Sequence, residues 1–217
     1  MPISTHPMQI ANRLGADSVV VLDFETTGLS PQRGDRAIEI GAVRLDQGQV
    51  VERFQSLMNP GRRVSSFIEN YTGITNAMLA DAPPCEDVMA AFADFLRDAN
   101  VVAHNMSFDR RFLDAELARI GRGTSENYAC SLLLSRRVYP EAPSHKLAAL
   151  VAYRGIIQKG RFHRALADAE VTGQLWLQGL NTLRETYGVG MLSFAQIQAL
   201  TRLQKSKIPA YLKTLQA

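Results

Sequence analysis

Three short stretches of this 217-residue chain gather side chains able to do acid–base or metal chemistry: DFETTG at 23–28, HNMSFD at 104–109 and FHRALADAE at 162–170. Asp23 and Glu25 end the apolar run VVVL. Residues two apart on a strand share a face, with backbone positions about 6.6 Å apart, so the two carboxylates converge while Phe24 turns into the opposite layer. At about 5 Å and an effective dielectric near 20, their repulsion is roughly 3 kcal/mol. A positive group is therefore expected between them, unless both point into water, where the repulsion is screened. Asp109 follows the apolar run VVA at a strand-to-helix junction, where rigid elements hold binding groups. The alternative there is structural: Asp109 serves the helix dipole, Asn105 a turn, and His104 is a satisfied core histidine. His163 and Asp168 stand five apart, about 140° around one ideal helix, so they face one site only if His163 lies at or before the first turn. Otherwise they are a surface histidine and an acid on an exposed helix.

Periodicity supplies the elements that must position these groups. Residues 18–25, 36–46 and 49–58 are β-rich runs of strand length, the last two separated by Gln47 and Gly48, which suggests an antiparallel meander. The segment 86–98 places Val88, Phe92, Phe95 and Leu96 on one helical face behind Pro83 and Pro84, and VVA at 101–103 reads as a buried strand. Ser107 is expected to cap a helix running to about Ile120, with Phe112, Leu113, Glu116 and Leu117 at three- and four-residue steps and Gly121 just beyond. Further helices are expected over about 146–154 and 164–187. After a GVG turn, LSFAQIQALTRLQ forms an amphipathic helical tail that either packs back on the domain or binds a partner. Three strands followed by alternating helix and strand indicate an α/β fold with a mixed sheet and helices on its faces.

Bulk properties narrow the classes. With 46% hydrophobic and 21% charged residues, neither a disordered nor a fibrous chain is favoured. A net charge of +3 is compatible with a nucleic-acid partner without demanding one. Two cysteines, Cys85 and Cys130, without CxxC spacing argue against a zinc knuckle and a disulfide scaffold. The first residues show no secretory pattern and no run of about 18 apolar residues occurs, so a cytoplasmic protein with no membrane segment is expected.

The order D-x-E, D, H-x4-D, carried by DFETTG, HNMSFD and HRALADA, resembles the DEDDh branch of the DnaQ-like 3'-to-5' exonucleases over about positions 17–187. IEIGAV at 38–43, TGIT at 72–75 and HKLAALVAYRGI are also similar to that family, especially to the proofreading epsilon subunit of bacterial DNA polymerase III. Cys130 and Ser131 depart from its common Asp-Thr. The resemblance implies a ribonuclease H-like fold with a mixed five-stranded sheet flanked by helices. It divides the chain into an N-terminal extension (1–16), an exonuclease domain (17–187) and a short helical C-terminal tail (188–217).

What the resemblance implies for the site agrees with donor chemistry. Four carboxylates without a thiolate suit hard cations, and two Mg²⁺ or Mn²⁺ ions are implied. The positions of Asp23, Glu25 and Asp168 would hold one ion; Asp23 would also reach the second, which Asp109 supports. His163 would take the proton from the attacking water, a task suited to an imidazole titrating near neutrality. Thr26, Gly28, Thr72, Asn105 and Phe108 would contact the terminal nucleotide, Phe108 being as well explained as a core aromatic. Lys159, Arg161 and Arg164 are candidate phosphate contacts or a solvated basic turn. The implied activity is removal of nucleoside 5'-monophosphates from 3' ends of single-stranded DNA in proofreading or repair, with a polymerase as a possible separate partner. The same chemistry on RNA is one alternative; another is a catalytically silent nucleic-acid-binding adaptor, whose mark would be a missing ligand, and all five are present. Oligomeric state is left open.

Overall fold

The computed structural model describes residues 15–123, 127–158 and 163–216. Its centre is a five-stranded sheet in the order β3-β2-β1-β4-β5, built from β1 (Val19–Thr26), β2 (Ala37–Asp46), β3 (Gln49–Leu57), β4 (Val101–Ala103) and β5 (Tyr128–Cys130). The first three strands form the expected antiparallel meander; β4 joins β1 in parallel at Val20–Val101, and β5 follows β4 in parallel. The turn at Gln47 and Gly48 has left-handed backbone at both residues, as a tight two-residue hairpin requires.

Alternation along β1 divides the interior. Val20, Leu22 and Phe24 enter one apolar cluster with α3 (Cys85–Leu96) and α4 (Met106–Arg119), contributing beside Phe92, Phe112 and Leu113. Val19 and Val21 face the other way, into a cluster with Trp176 and Leu180 of α7 (Ala165–Tyr187). By the same parity Asp23 and Glu25 project toward the α7 side.

The two early helices, α1 (Ser66–Thr72) and α2 (Asn76–Ala80), were not expected from periodicity. They are too short to show a period, and capping defines them: Ser65 accepts from Ile68 N–H, Thr75 accepts from Met78 N–H, and Gly73 ends α1 at φ +75°. After β5 the chain enters α5 (Ser131–Val138), then α6 (Leu147–Tyr153), close to the expected 146–154.

Ser107 does not cap α4. The helix starts two residues earlier than that cap would set it, at Met106, whose side chain is buried in the core, and Asn105 occupies the cap position with left-handed backbone (φ +72°) and no side-chain cap bond. Burial of Met106 fixes the start of the helix more strongly than a hydroxyl cap would; Ser107 Oγ instead donates to Asn105 Oδ1 at 3.2 Å.

The tail forms α8 (Phe194–Arg202) and α9 (Ile208–Lys213). Phe194, Ile197, Leu200, Ile208 and Leu212 are buried in the Trp176 cluster, and Gln198 Nε2 donates to Tyr128 O across the free edge of β5. Covering that edge removes a template for strand pairing. The N-terminal extension lies outside the described residues except Gly15 and Ala16; Ala16 N–H donates to Leu192 O, and its carbonyl accepts from Trp176 Nε1. No helix among the described residues is long and apolar enough to cross a membrane.

Candidate active site

Three elements bring the acids together. β1 delivers Asp23 and Glu25 from its end, α4 delivers Asp109 from its first turn, and α7 delivers Asp168 from its own first turn. Asp109 Oδ1 accepts the N–H of Phe24, the residue between the two β1 acids, at 3.2 Å. His163 lies two residues before α7, so the geometric condition on the His163–Asp168 spacing is met. Its backbone is left-handed (φ +63°), and its N–H donates to Asp168 Oδ2 at 3.0 Å. Ligand atoms of Glu25, His163 and Asp168 all lie within 4.8 Å of one another.

The approach of α7 to the sheet depends on Gly41 of β2, the register partner of Asp23. A Cβ there would sit 2.0 Å from Leu166 N and 2.2 Å from the Ala165 carbonyl carbon. Glu39, the partner of Glu25, is fully buried and holds the same helix start: it takes both Nε and Nη2 of Arg164 and the free N–H of Ala165. Arg164 is thus engaged by Glu39 rather than free for a phosphate; Lys159 and Arg161 lie outside the described residues. On the other layer buried Glu116 anchors Arg36 through Nε and Nη2, which fixes the start of β2.

The acids strain one another. Burial, then the charges of Asp109, Glu25, Asp168 and Glu39, hold Asp23 well above the ordinary carboxylate range. Burial followed by the charges of Asp168, Glu39 and Asp109 pushes Glu25 to about 8, against a lowering by Arg164. Asp168 rises to about 6 through burial, opposed by the His163 N–H, and Asp109 is also raised by burial. Asp168 Oδ1 is buried with no hydrogen-bond partner. An orphaned oxygen among repelling carboxylates is what a site for a hard divalent cation presents: several carboxylate oxygens, with the His163 ring beside them, charge in excess, and one lone pair unspent. The residues fit such an ion.

Around the acids is a cavity of about 630 Å³ lined by Asp23, Glu25, Asp168 and His163. Thr26, Gly28, Thr72 and Phe108 line it too. A Cβ at Gly28 would lie 2.5 Å from Asp35 Oδ2 and displace that carboxylate, which accepts from Thr27 Oγ1 and Ser30 N–H to shape the loop. The Thr72 hydroxyl is already spent on Ile68 O and Ile74 N–H. Phe108 satisfies both of its readings, half-buried against Phe112 while facing the cavity. Asn105 lines an adjoining furrow instead.

Sequence reasoning missed the apolar rim: exposed Leu29, Phe67 and Tyr71. Phe67 and Tyr71 stack one turn apart on α1, and the Tyr71 ring lies 3.9 Å from that of His163. The i, i+4 aromatic pair after Ser65 was the available signal. Ser131, where the sequence departs from Asp-Thr, is buried with Oγ 2.9 Å from His104 Nδ1, while His104 Nε2 meets His145 O at 3.0 Å. His104 is thus the satisfied interior histidine of the structural reading.

A mixed sheet in this order, with acids at the ends of β1, α4 and α7, defines the class of ribonuclease H-like nucleases. The chain belongs to the RNase_T exonuclease family, whose sequence profile matches residues 20–176. It is 37% identical over 198 residues to the PolC-type DNA polymerase III of Staphylococcus aureus, covering 91% of this chain but 13% of that protein. Among solved structures it is similar to exonuclease X in complex with 5' overhanging duplex DNA, with a TM-score of 0.64, 30% identity, and coverage of 82% of this chain and 98% of that one. The nuclease domain of 3'hExo, a DEDDh family member bound to rAMP, shares the fold at a TM-score of 0.64 and 19% identity, over 76% of this chain and 92% of that one. The chain thus carries an exonuclease domain of that family.

Proposed function

We propose that the chain removes nucleoside 5'-monophosphates one at a time from 3' ends of DNA, using two Mg²⁺ or Mn²⁺ ions. The carrying observation is the convergence of Asp23, Glu25 and Asp168, the last with an unspent buried oxygen, beside an imidazole in one open cavity, with Asp109 bonded behind them to the N–H of Phe24. Asp23, Glu25 and Asp168 would hold one ion, and Asp23 with Asp109 the other. When bound, such a pair neutralises charge developing on the phosphodiester and on the departing 3' oxygen.

The chain's own groups do the rest. His163 accepts a proton from the attacking water; the water oxygen bonds to phosphorus, the bond from phosphorus to the 3' oxygen breaks, and the products are a nucleoside 5'-monophosphate and a shortened 3'-hydroxyl end. The hydrogen bond from His163 N–H to Asp168 and the Tyr71 ring keep the imidazole over the cavity. Thr26, Gly28 and Phe108 form the floor against which the terminal nucleotide lies. Two relatives support the DNA reading, whereas 3'hExo, bound to rAMP, shares the fold alone: exonuclease X was solved with DNA, and the Staphylococcus aureus protein is a DNA polymerase. The same likeness supports a proofreading role beside a polymerase.

The test is incubation of 5'-labelled single-stranded, duplex and mismatched DNA, and of RNA, with Mg²⁺, Mn²⁺ or EDTA. A metal-dependent ladder of single-nucleotide steps, faster on DNA, is expected; internal cuts or hydrolysis in EDTA would refute the reading. Asp23→Ala should abolish both the ladder and cation binding.

A further inference from the structure

Beyond the acids the cavity continues as an open furrow. Its first stretch, about 840 Å³, begins beside Tyr71, His163 and Asp168 and passes His104 to reach Lys146 and Arg136. A second stretch of about 560 Å³ shares Asn105, Leu132 and Arg136 with the first and ends at Gln198, Thr201 and Arg202 on α8. Among the described residues Asp168 is the sole carboxylate lining either stretch. Lys146, Arg136 and Arg202 are exposed, and none has a carboxylate within ion-pair distance among the described residues. Arg110, also on the wall, is by contrast taken up by Asp114 and the face of Tyr128.

The geometry points to a track for the upstream single strand of nucleic acid: its 3' end in the acid cavity, its backbone phosphates passing Lys146, then Arg136, then Arg202. The inference rests on the exonuclease reading and extends it from the cleaved nucleotide to the strand behind it. Three unpaired cations on the walls of one open furrow give a positive potential without a closed pocket, which suits a polyanion that must advance rather than a small anion that must be enclosed. Exposed cations of this kind position a backbone without reading its sequence. The wall bearing Lys146 is held in place by interior bonds: His104 Nε2 donates to His145 O, and His145 Nε2 meets Tyr139 O at 3.0 Å. The last cation comes from the tail, so the tail would serve substrate grip as well as covering β5.

The experiment measures KM for single-stranded oligonucleotides of two, four, eight and twelve nucleotides at several salt concentrations. The wild-type protein should bind more tightly as length increases. Arg136→Gln with Arg202→Gln should flatten that dependence, raising KM for the longest substrate about tenfold, with KM moving more than kcat. The salt slope should fall by about 0.7 for each single-strand phosphate that the variant no longer neutralises. Charge reversal, Arg136→Glu with Arg202→Glu, should deepen both effects in the same order. Wild-type length dependence and salt slope in the variants would overturn the track while leaving the nuclease intact. Failure of the wild-type protein to hydrolyse any length would remove the exonuclease reading, and the track with it.

Discussion

His163, the proposed base, sits in a strained position: left-handed backbone, an N–H bonded to Asp168, and a ring packed against Tyr71. A residue with that backbone at a functional centre is held there by its surroundings. Two predictions separate its role from those of its neighbours. His163→Ala should lower kcat by about 10²–10⁴, the usual worth of a general base, while Mn²⁺ affinity by titration calorimetry stays near wild type. Undiminished hydrolysis would end the assignment. Tyr71→Ala should lower kcat by about 10–100-fold through misplacement of the imidazole, whereas Tyr71→Phe, which keeps the ring, should not. Equal losses in both variants would assign the effect to the hydroxyl instead.

At the scale of elements, the site is a matter of how closely α7 approaches β2. Gly41 sets that distance, because a Cβ would overlap Leu166 N and the Ala165 carbonyl. Gly41→Ala should therefore destabilise the fold by about 1–3 kcal/mol and displace Asp168 with its helix, lowering activity more than a surface substitution of equal stability cost. Chemical denaturation and turnover measured together check this; a variant with wild-type stability and turnover would show that the helix start yields freely. The strands and long helices around this contact were legible from sequence because each is long enough to display a period, as in the alternation of Val20, Leu22 and Phe24 against Val19 and Val21. The five catalytic candidates were singled out by the order D-x-E, D, H-x4-D and its family resemblance, since each stretch by itself also had a structural explanation. What stayed hidden depended on long-range partners: Arg164 resembles a free cation until Glu39, from a distant strand, meets it, and Ser107 resembles a cap until Met106 is seen to be buried. The helix α1, with its cavity-facing Tyr71, is too short to show more than the single i, i+4 pair of Phe67 and Tyr71.

The whole molecule carries an imbalance that only the fold creates: acids from β1, α4 and α7 are concentrated in one interior region, while the unpaired cations stand on the furrow outside. The consequence is a stability that depends on pH and cation together. Glu25 and Asp168, raised to about 8 and about 6, bind more protons in the folded than in the unfolded chain between pH about 4 and 8. Stability from these groups is therefore full below about pH 4, where both states are protonated, and is lost as pH rises through the folded values. Even a net lift of two units across the cluster costs about 3 kcal/mol by pH 8.5, or about 6–12 °C in Tm for a chain of this size. A divalent cation reverses the sign of the problem, since it binds the ionised folded site and not the dispersed acids of the unfolded chain. In EDTA, Tm should fall between pH 5.5 and pH 8.5; with millimolar Mn²⁺ it should recover, and by more at pH 8.5 than at pH 5.5, where protons compete for the same oxygens. Asp168→Asn should reduce both the fall and the recovery. Calorimetric scans showing a Tm in EDTA that rises across this interval would mean that the acids do not repel one another inside the fold, and the cluster would then have no need of an ion.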